Sequence, residues 1–231
     1  MPRLVHILRA GKLDYHKSLR LQKVISSTVL KDSTGPFRNV LILTEHDPVY
    51  TVGIRTKDYG PAEEQRLKTL GAQFVRTNRG GLITFHGPGQ LVAYPILNLK
   101  NFQPSVRWYV CHIEKTIIEL CRRYGIRAAT TEDTGVWVQD RKICAIGIHA
   151  SRYVTTHGLA LNCNNDLRWF EHIVPCGIPG KGVTSLSVEA GRELGVDSVT
   201  SEFLKSLRVT LECDLEEMQE SQRDSFLRDI G

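Results

Sequence analysis

The hydrophobic periodicity of the chain switches at Gly125, and this switch constrains the fold more than any other feature. Before it, Ser105 can cap a long helix whose apolar residues recur at helical spacing. After it, apolar residues alternate with a period of two, which predicts strands at 135–138, 142–150 and 157–163. Only a short turn separates the first two of these strands, so we expect them to form a hairpin.

The other predicted elements mix strands and helices without a regular alternation. Helices are expected from Asp14 to about Lys31 and from Pro61 to Gly71. Strands are expected at 4–8, 39–44, 73–77 and 90–97. A last helix is expected at 201–212. This pattern favours a single α+β domain over residues 1–212 rather than a doubly wound sheet. The polar tail at 213–231 is expected to fray.

Charge and hydropathy exclude several function classes. Lys and Arg number 30 against 25 Asp and Glu, a formal charge of +5 that is spread along the chain. Such dispersion favours an ordinary solvated surface, with attraction to acidic protein partners as the alternative. No basic stripe interleaved with aromatic residues indicates nucleic-acid binding. The apolar runs are too short to cross a membrane.

The cysteine pattern favours a reducing compartment. The six cysteines come without a signal peptide, and the chain is too large for a disulfide scaffold. Their spacings do not predict a structural metal site. Five of them are expected to be structural: Cys111, Cys121, Cys144, Cys163 and Cys213. Residues 1–13 are basic and free of acids, so a mitochondrial targeting segment and a first strand are both compatible with them.

Cys176 differs from the other cysteines because Pro175 and Gly177 place it in a loop. Loops display reactive groups, but a thiol with an ordinary pKa near 8.5 is mostly protonated at neutral pH. A nucleophilic Cys176 therefore requires a nearby cation or base. An inert thiol is the alternative.

Lys142 is the first candidate for that cation, because it opens a predicted strand directly after a turn. A desolvated lysine can favour a thiolate and move a proton, whereas a turn lysine in water does neither. Histidines near the same segments offer a rival Cys–His pair: His86, His149, His157 and His172.

Two glycine clusters surround a short apolar stretch at 79–90, which reads Arg-Gly-Gly-Leu-Ile-Thr-Phe-His-Gly-Pro-Gly-Gln. Glycines permit close approach of a ligand to the backbone. The Walker and dinucleotide-binding patterns are both absent. The stretch therefore predicts a groove for a thin, apolar, extended substrate.

These motifs together resemble the lipoyl(octanoyl) transferases of the LipB family. The likeness includes the 79–90 stretch, Gly135-Val136-Trp137, Lys142-Ile143, Ile146-Gly147, His157 to Asn162 and Pro175-Cys176-Gly177. Several separate motifs agree in order over most of the chain. Cys163 departs from the family pattern, and the tail after Cys213 lies outside it.

The resemblance implies the biotin/lipoate protein ligase type of α+β domain, with mixed sheets packed with helices. It implies transfer of an octanoyl group from octanoyl-acyl carrier protein to a lysine of lipoyl domains, in 2-oxoacid dehydrogenases and the glycine cleavage H protein. It also implies no cofactor and no metal, and a place in mitochondria, with bacterial cytoplasm as the alternative. Cys176 would carry the acyl thioester, and Lys142 would lower its pKa and assist proton transfer.

The resemblance also assigns the acyl-binding residues. They are Arg79, Gly80, Gly81, Leu82, Ile83, Thr84, Phe85, His86, Ala145, Ile146, Gly147, Gly158, Leu159 and Ala160. Two other functions stay open. An ATP-dependent lipoate or biotin ligase would use a similar lysine and glycine loop without a cysteine nucleophile, and a non-catalytic acyl-binding module would need neither.

Overall fold

The computed structural model describes residues 3–31, 35, 37–55, 59–174 and 180–230. The strands are β1 Leu4–Lys12, β2 Asn39–Glu45, β3 Val49–Val52, β4 Gln73–Arg76, β5 Thr84–His86, β6 Gln90–Leu97, β7 Val136–Val138, β8 Arg141–Ser151, β9 Val154–Asn162, β10 Gly182–Val183 and β11 Asp214–Glu217. The helices are α1 Tyr15–Lys31, α2 Pro61–Thr69, α3 Val106–Arg123, α4 Leu186–Ala190, α5 Val196–Leu211 and α6 Glu220–Arg228.

A large mixed sheet forms the centre of the molecule. Its strand order is β10-β8-β9-β6-β2-β1-β11, with β7 paired to β8. Because side chains alternate along a strand, each strand supplies both faces. Leu41 and Leu43 pack on one face with α3 and α5, while Val40 and Ile42 pack on the other with α1. The sheet is therefore covered by helices on both sides.

A second sheet carries the glycine-rich stretch. Its order is β4-β3-β5, with β3 parallel to β4 and antiparallel to β5. It packs through a small core of its own that includes Tyr50, Phe85 and Phe170. The loop between Arg79 and Thr84 reaches β8, where the Gly80 amide donates a hydrogen bond to the Ile148 carbonyl.

The main helices and strands expected from the sequence are present. Ser105 caps α3 by accepting a hydrogen bond from the Trp108 amide, and β7 and β8 form the expected hairpin around Gln139 and Asp140. The last long helix begins at Val196, earlier than expected, because its buried face already includes Val199. The short elements β3 and α4 were not expected.

The polar segment after Cys213 is folded over 214–217 and 220–228, which differs from the expected fraying. β11 pairs in parallel with β1, and the Met218 amide donates to the Ile7 carbonyl. Phe226 on α6 is buried against the face that carries α1. The polar composition hid these elements because an edge strand and a surface helix bury only a few side chains each. Among the described helices, none has both the length and the apolar character of a membrane span.

Candidate active site

A cavity of about 410 Å³ runs along β8 and β9 beneath the glycine-rich loop. Most of the residues expected to hold the acyl chain line it. They are Arg79, Gly80, Gly81, Leu82, Thr84, His86, Ala145, Ile146, Gly147, Gly158, Leu159 and Ala160. Lys142 also lines it, so residues from three distant parts of the chain meet in one site.

Ile83 and Phe85 are not brought into this cavity in the described structure. Their neighbours Leu82, Thr84 and His86 line it, and alternation turns the two intervening side chains the other way. Both are buried in the core of the second sheet, where Phe85 stacks on Trp169 with a ring separation of 5.0 Å. The described geometry gives them a role in supporting β5.

Cys176 lies outside the described residues, within 175–179. The described chain on both sides of that segment reaches Lys142. Phe170 before it and Val183 after it line a small cavity together with Lys142 and Thr84. In addition, β10 pairs in parallel with β8, and Val183 is the register partner of Lys142.

Lys142 is almost fully buried, with 5% of its surface exposed. Its Nζ donates a hydrogen bond to the Thr134 carbonyl at 3.1 Å and lies 4.6 Å from the centroid of the Trp137 ring. Among the described residues, Thr134 is the only hydrogen-bond acceptor for this ammonium. Because an ammonium has three donors, the remaining ones can serve a group that enters the cavity.

The Arg79 guanidinium fixes the glycine-rich loop over β8. Its Nη2 donates to the carbonyl and to the hydroxyl of Thr51 at 2.6 and 2.9 Å. The Gly80 amide donates to the Ile148 carbonyl at 2.9 Å, which ties the loop to the edge of β8. A planar guanidinium suits this double contact better than a lysine would.

Three glycines allow these segments to approach each other. A Cβ at Gly53 would lie 2.4 Å from the Gly81 carbonyl oxygen, and one at Gly158 would lie 2.2 Å from the Ala93 carbonyl oxygen. A Cβ at Gly147 would lie 3.0 Å from the Gly80 carbonyl oxygen. Gly147 and Gly158 pair across β8 and β9, and they allow the glycine-rich loop and β6, respectively, to approach these strands closely.

Comparison with known proteins settles the family. Residues 14–208 match the sequence model of the family described as the lipoyl protein ligase A/B catalytic domain. The chain belongs to this family. The resemblance seen in the sequence motifs is therefore confirmed.

Relatives in this family share much of the sequence. The chain is 57% identical over 211 residues to the mitochondrial octanoyl-(acyl-carrier-protein):protein N-octanoyltransferase of Danio rerio, covering 91% of this chain and 94% of the relative. It is 43% identical over 220 residues to the protein of the same name from Homo sapiens, covering 91% and 95%. The expected mitochondrial location is confirmed by these relatives.

A solved structure confirms the expected fold. The crystal structure of a lipoate-protein ligase A bound with ATP superposes with a TM-score of 0.71 at 15% identity, covering 100% of this chain and 94% of that one. The expected biotin/lipoate ligase type of α+β domain is therefore correct.

In this member of the lipoyl protein ligase A/B family, a directional chain of buried hydrogen bonds passes beneath the cavity. Arg79 donates to the Thr51 hydroxyl, which donates to Nε2 of His86 at 3.2 Å. His86 Nδ1 donates to Gln90 Oε1 at 2.8 Å, because the Gln90 amide nitrogen already donates to Asn162 Oδ1. The Asn162 amide then donates to the Thr184 carbonyl at 2.9 Å.

Burial holds His86 neutral. Burial lowers the pKa of His86 to about 3, and both ring nitrogens have partners. Burial likewise lowers the pKa of His46 to about 4 and that of His157 to about 3. Of the two histidines that line the cavity, His86 and His157, neither is poised as a base near neutral pH.

Sequence reasoning did not assign several other residues that line the cavity. They are Tyr15, Arg55, Val92, Tyr94, Val110, Glu132, Asp133, Thr134 and Ile148. Tyr15 is buried and stacks on His86 at a ring separation of 5.8 Å. The motif signal could have found Tyr94, which lies just beyond the matching 79–90 stretch, but Tyr15 follows a helix cap and carries no local signal.

The other cysteines have the environments of structural thiols, apart from the exposed Cys111. Burial raises the pKa of Cys121 and of Cys163 to about 12, and it raises the pKa of Cys144 well above its ordinary value. Cys213 is also buried. Within the described residues, no cluster of three or more His, Cys, Asp or Glu side chains could hold a metal ion.

Proposed function

We propose that this protein transfers an octanoyl group from octanoyl-acyl carrier protein to a lysine of a lipoyl domain through a thioester on Cys176. The observation that carries the proposal is that the buried ammonium of Lys142 lines a cavity of about 410 Å³ along β8 and β9, whose floor includes Ala145, Ile146, Leu159 and Ala160. The relatives' shared name identifies octanoyl transfer as the reaction class. Lipoyl domains of 2-oxoacid dehydrogenases and the glycine cleavage H protein are the proposed acceptors.

The chemistry follows from thioester exchange. The Cys176 thiolate attacks the carbonyl carbon of the carrier thioester, and the carbon–sulfur bond to the carrier breaks as its thiol leaves with a proton. The acceptor amine then attacks the new thioester, loses a proton and releases the Cys176 sulfur. Two easier steps replace one slow one, and the amide product is more stable than either thioester.

Lys142 is the proposed proton carrier in both steps. Its ammonium is desolvated and retains donors for an incoming group, so it can stabilise a thiolate and return a proton to a leaving sulfur. His86 is a poor rival because its ring nitrogens are both engaged. The described side chains therefore favour a Cys–Lys pair over a Cys–His pair at that position.

A transfer assay tests the proposal. Octanoyl-acyl carrier protein and a lipoyl domain are mixed with the protein, and amide formation is followed over time. Cys176→Ser is expected to abolish transfer, and Lys142→Ala to slow it and move its pH optimum upward. Cys111→Ser removes an exposed thiol elsewhere and is expected to retain wild-type transfer.

The same assay separates the proposal from an ATP-dependent ligase. With free octanoate and ATP in place of the carrier, no pyrophosphate release and no product are expected. Equal transfer by Cys176→Ser and wild type, or product formed only with ATP and free acid, would overturn the proposed mechanism.

A further inference from the structure

Trp137 and Lys142 are direct cross-strand neighbours. They are register partners in the β7–β8 hairpin, so their side chains lie on the same face. The Lys142 ammonium lies 4.6 Å from the centroid of the indole ring, within the distance of a cation–π contact. The ring itself is buried, with 2% of the residue exposed.

The indole also fixes the loop that receives the ammonium. Trp137 Nε1 donates to the Asp133 carbonyl at 3.1 Å, and Lys142 Nζ donates to the carbonyl of the next residue, Thr134, at 3.1 Å. Trp137 therefore supplies the aromatic face that contacts the lysine, and it also fixes the loop whose backbone oxygen accepts the lysine's hydrogen bond. The backbone of Trp137 is in turn fixed by paired hydrogen bonds with Ala129.

A second ammonium reaches the same ring from the chain that follows 175–179. Lys181 Nζ lies 5.4 Å from the Trp137 centroid and 2.9 Å from the Asp140 carboxylate in the β7–β8 turn. The adjoining strand β10 pairs with β8 at Arg141 and Lys142. Trp137 thus contacts both the strand that carries Lys142 and the segment directly after the one that contains Cys176.

We infer that Trp137 is a positioning residue for acyl transfer: it holds the Lys142 ammonium where it can stabilise the Cys176 thiolate. The inference rests on the proposed function. It assigns Trp137 no contact with substrate. It requires that loss of the indole changes the ionisation of the Cys176 thiol through the position of Lys142.

Thiol ionisation can be measured without turnover. The alkylation rate of Cys176 by iodoacetamide is followed against pH, with the modified peptide quantified by mass spectrometry, in a Cys111→Ser background. The variants are Trp137→Leu, Trp137→Phe, Lys142→Ala and, as a matched control, Trp108→Phe, whose ring contacts Phe102 and His112 away from the site. Thermal melting checks that each variant is folded.

The expected result is an upward shift of the alkylation midpoint for Trp137→Leu in the same direction as for Lys142→Ala. At pH 7 the rate falls about tenfold for each pH unit by which the midpoint rises. Trp137→Phe keeps an aromatic face but loses the bond to Asp133, so a smaller upward shift is expected. Trp108→Phe is expected to match the parent.

The outcomes separate the inference from the proposed function. A shifted midpoint for Lys142→Ala with an unchanged midpoint for Trp137→Leu overturns the inference and leaves the function in place. An unchanged midpoint for Lys142→Ala overturns the proposed role of the lysine. If Trp137→Leu does not fold, Trp137→Phe decides, and a profile that coincides with the parent's overturns the inference.

Discussion

Gly147 lies directly beneath Gly80, so closely that a methyl group on Gly147 would require Gly80 or Arg79 to shift by a few tenths of an ångström. A Cβ at position 147 would lie 3.0 Å from the Gly80 carbonyl oxygen and 3.0 Å from Cδ of Arg79. Hydrogen bonds restrain both neighbours: the Gly80 amide donates to the Ile148 carbonyl, and the Arg79 guanidinium donates to the Thr51 carbonyl. The distance between the glycine-rich loop and β8 therefore depends on the absence of a side chain at Gly147.

Gly147→Ala is expected to push the loop outward and weaken binding of the acyl chain. Overpacking of this kind costs about 1–3 kcal/mol of folding stability, and displacement of the loop relieves it at the expense of contacts with the acyl chain. The measurement is the acylation rate as a function of octanoyl carrier concentration. Gly195→Ala, where the nearest atom to the new Cβ is 3.9 Å away, serves as the control. Unchanged concentration dependence in Gly147→Ala would contradict a tight contact.

Gln90→Leu is expected to break the buried chain of hydrogen bonds beneath the cavity. It removes the acceptor for His86 Nδ1 and the donor to Asn162 Oδ1, and each buried group left without a partner costs about 1–3 kcal/mol. Urea unfolding measures the loss. Gln103→Leu, at an exposed position, should leave stability nearly unchanged. Equal midpoints for the two variants would show that the bonds contribute nothing.

Stability is expected to fall as the pH drops below about 6.5. The folded pKa values of His46, His86 and His157 are about 4, 3 and 3, below the unfolded value, so protons bind the unfolded state first. Each such histidine costs about 1.4 kcal/mol per pH unit between the two pKa values. Measurements between pH 6.5 and 5 lie above the range in which ordinary model carboxylates titrate.

His157→Asn tests one member of this set. Asparagine tolerates the positive φ of +57° at this position and does not titrate, so the pH slope of the unfolding free energy should become shallower. His172→Asn, at an exposed position, should keep the parental slope. An unchanged slope in His157→Asn would mean that the buried ring is protonated like a free one.

Phe226→Ala is expected to destabilise the whole domain by about 3–5 kcal/mol, as for a buried aromatic residue. Phe226 is 8% exposed and packs edge-to-face on Phe37 at 5.5 Å. Val188→Ala, at a position 57% exposed, is the control and should have little effect. A single unfolding transition at lower urea is predicted; wild-type stability would indicate that the C-terminal helix frays independently of the domain.

Much of the fold could be predicted because its signals are local. Helix α3 shows an apolar stripe with a serine cap, and β7 and β8 show alternation around a short turn. The strand β11 and helix α6 escaped prediction because each buries few side chains. Which face of β5 lines the cavity was also missed: Ile83 and Phe85 point into the second core, and only the pairing of β5 with β3 decides this.

The site was predictable in its motifs but not in its supports. The glycine stretch, Lys142 and the β8–β9 residues were assigned because their order in the chain matches a family pattern, and most of them line one cavity. The hydrogen-bonded set from Arg79 to Thr184 and the contact between Trp137 and Lys181 join residues far apart in sequence, so no local pattern could link them. The role of Cys176 stays a prediction.

One measurement tests the central claim most directly. The protein is incubated with octanoyl-acyl carrier protein in the absence of an acceptor, and the product is analysed by intact mass and by peptide mapping. The account predicts one octanoyl group, bound to the peptide that contains Cys176 and absent from Cys176→Ser. An octanoyl group on Cys111, on Cys144 or on a lysine, with Cys176 unmodified, would contradict it.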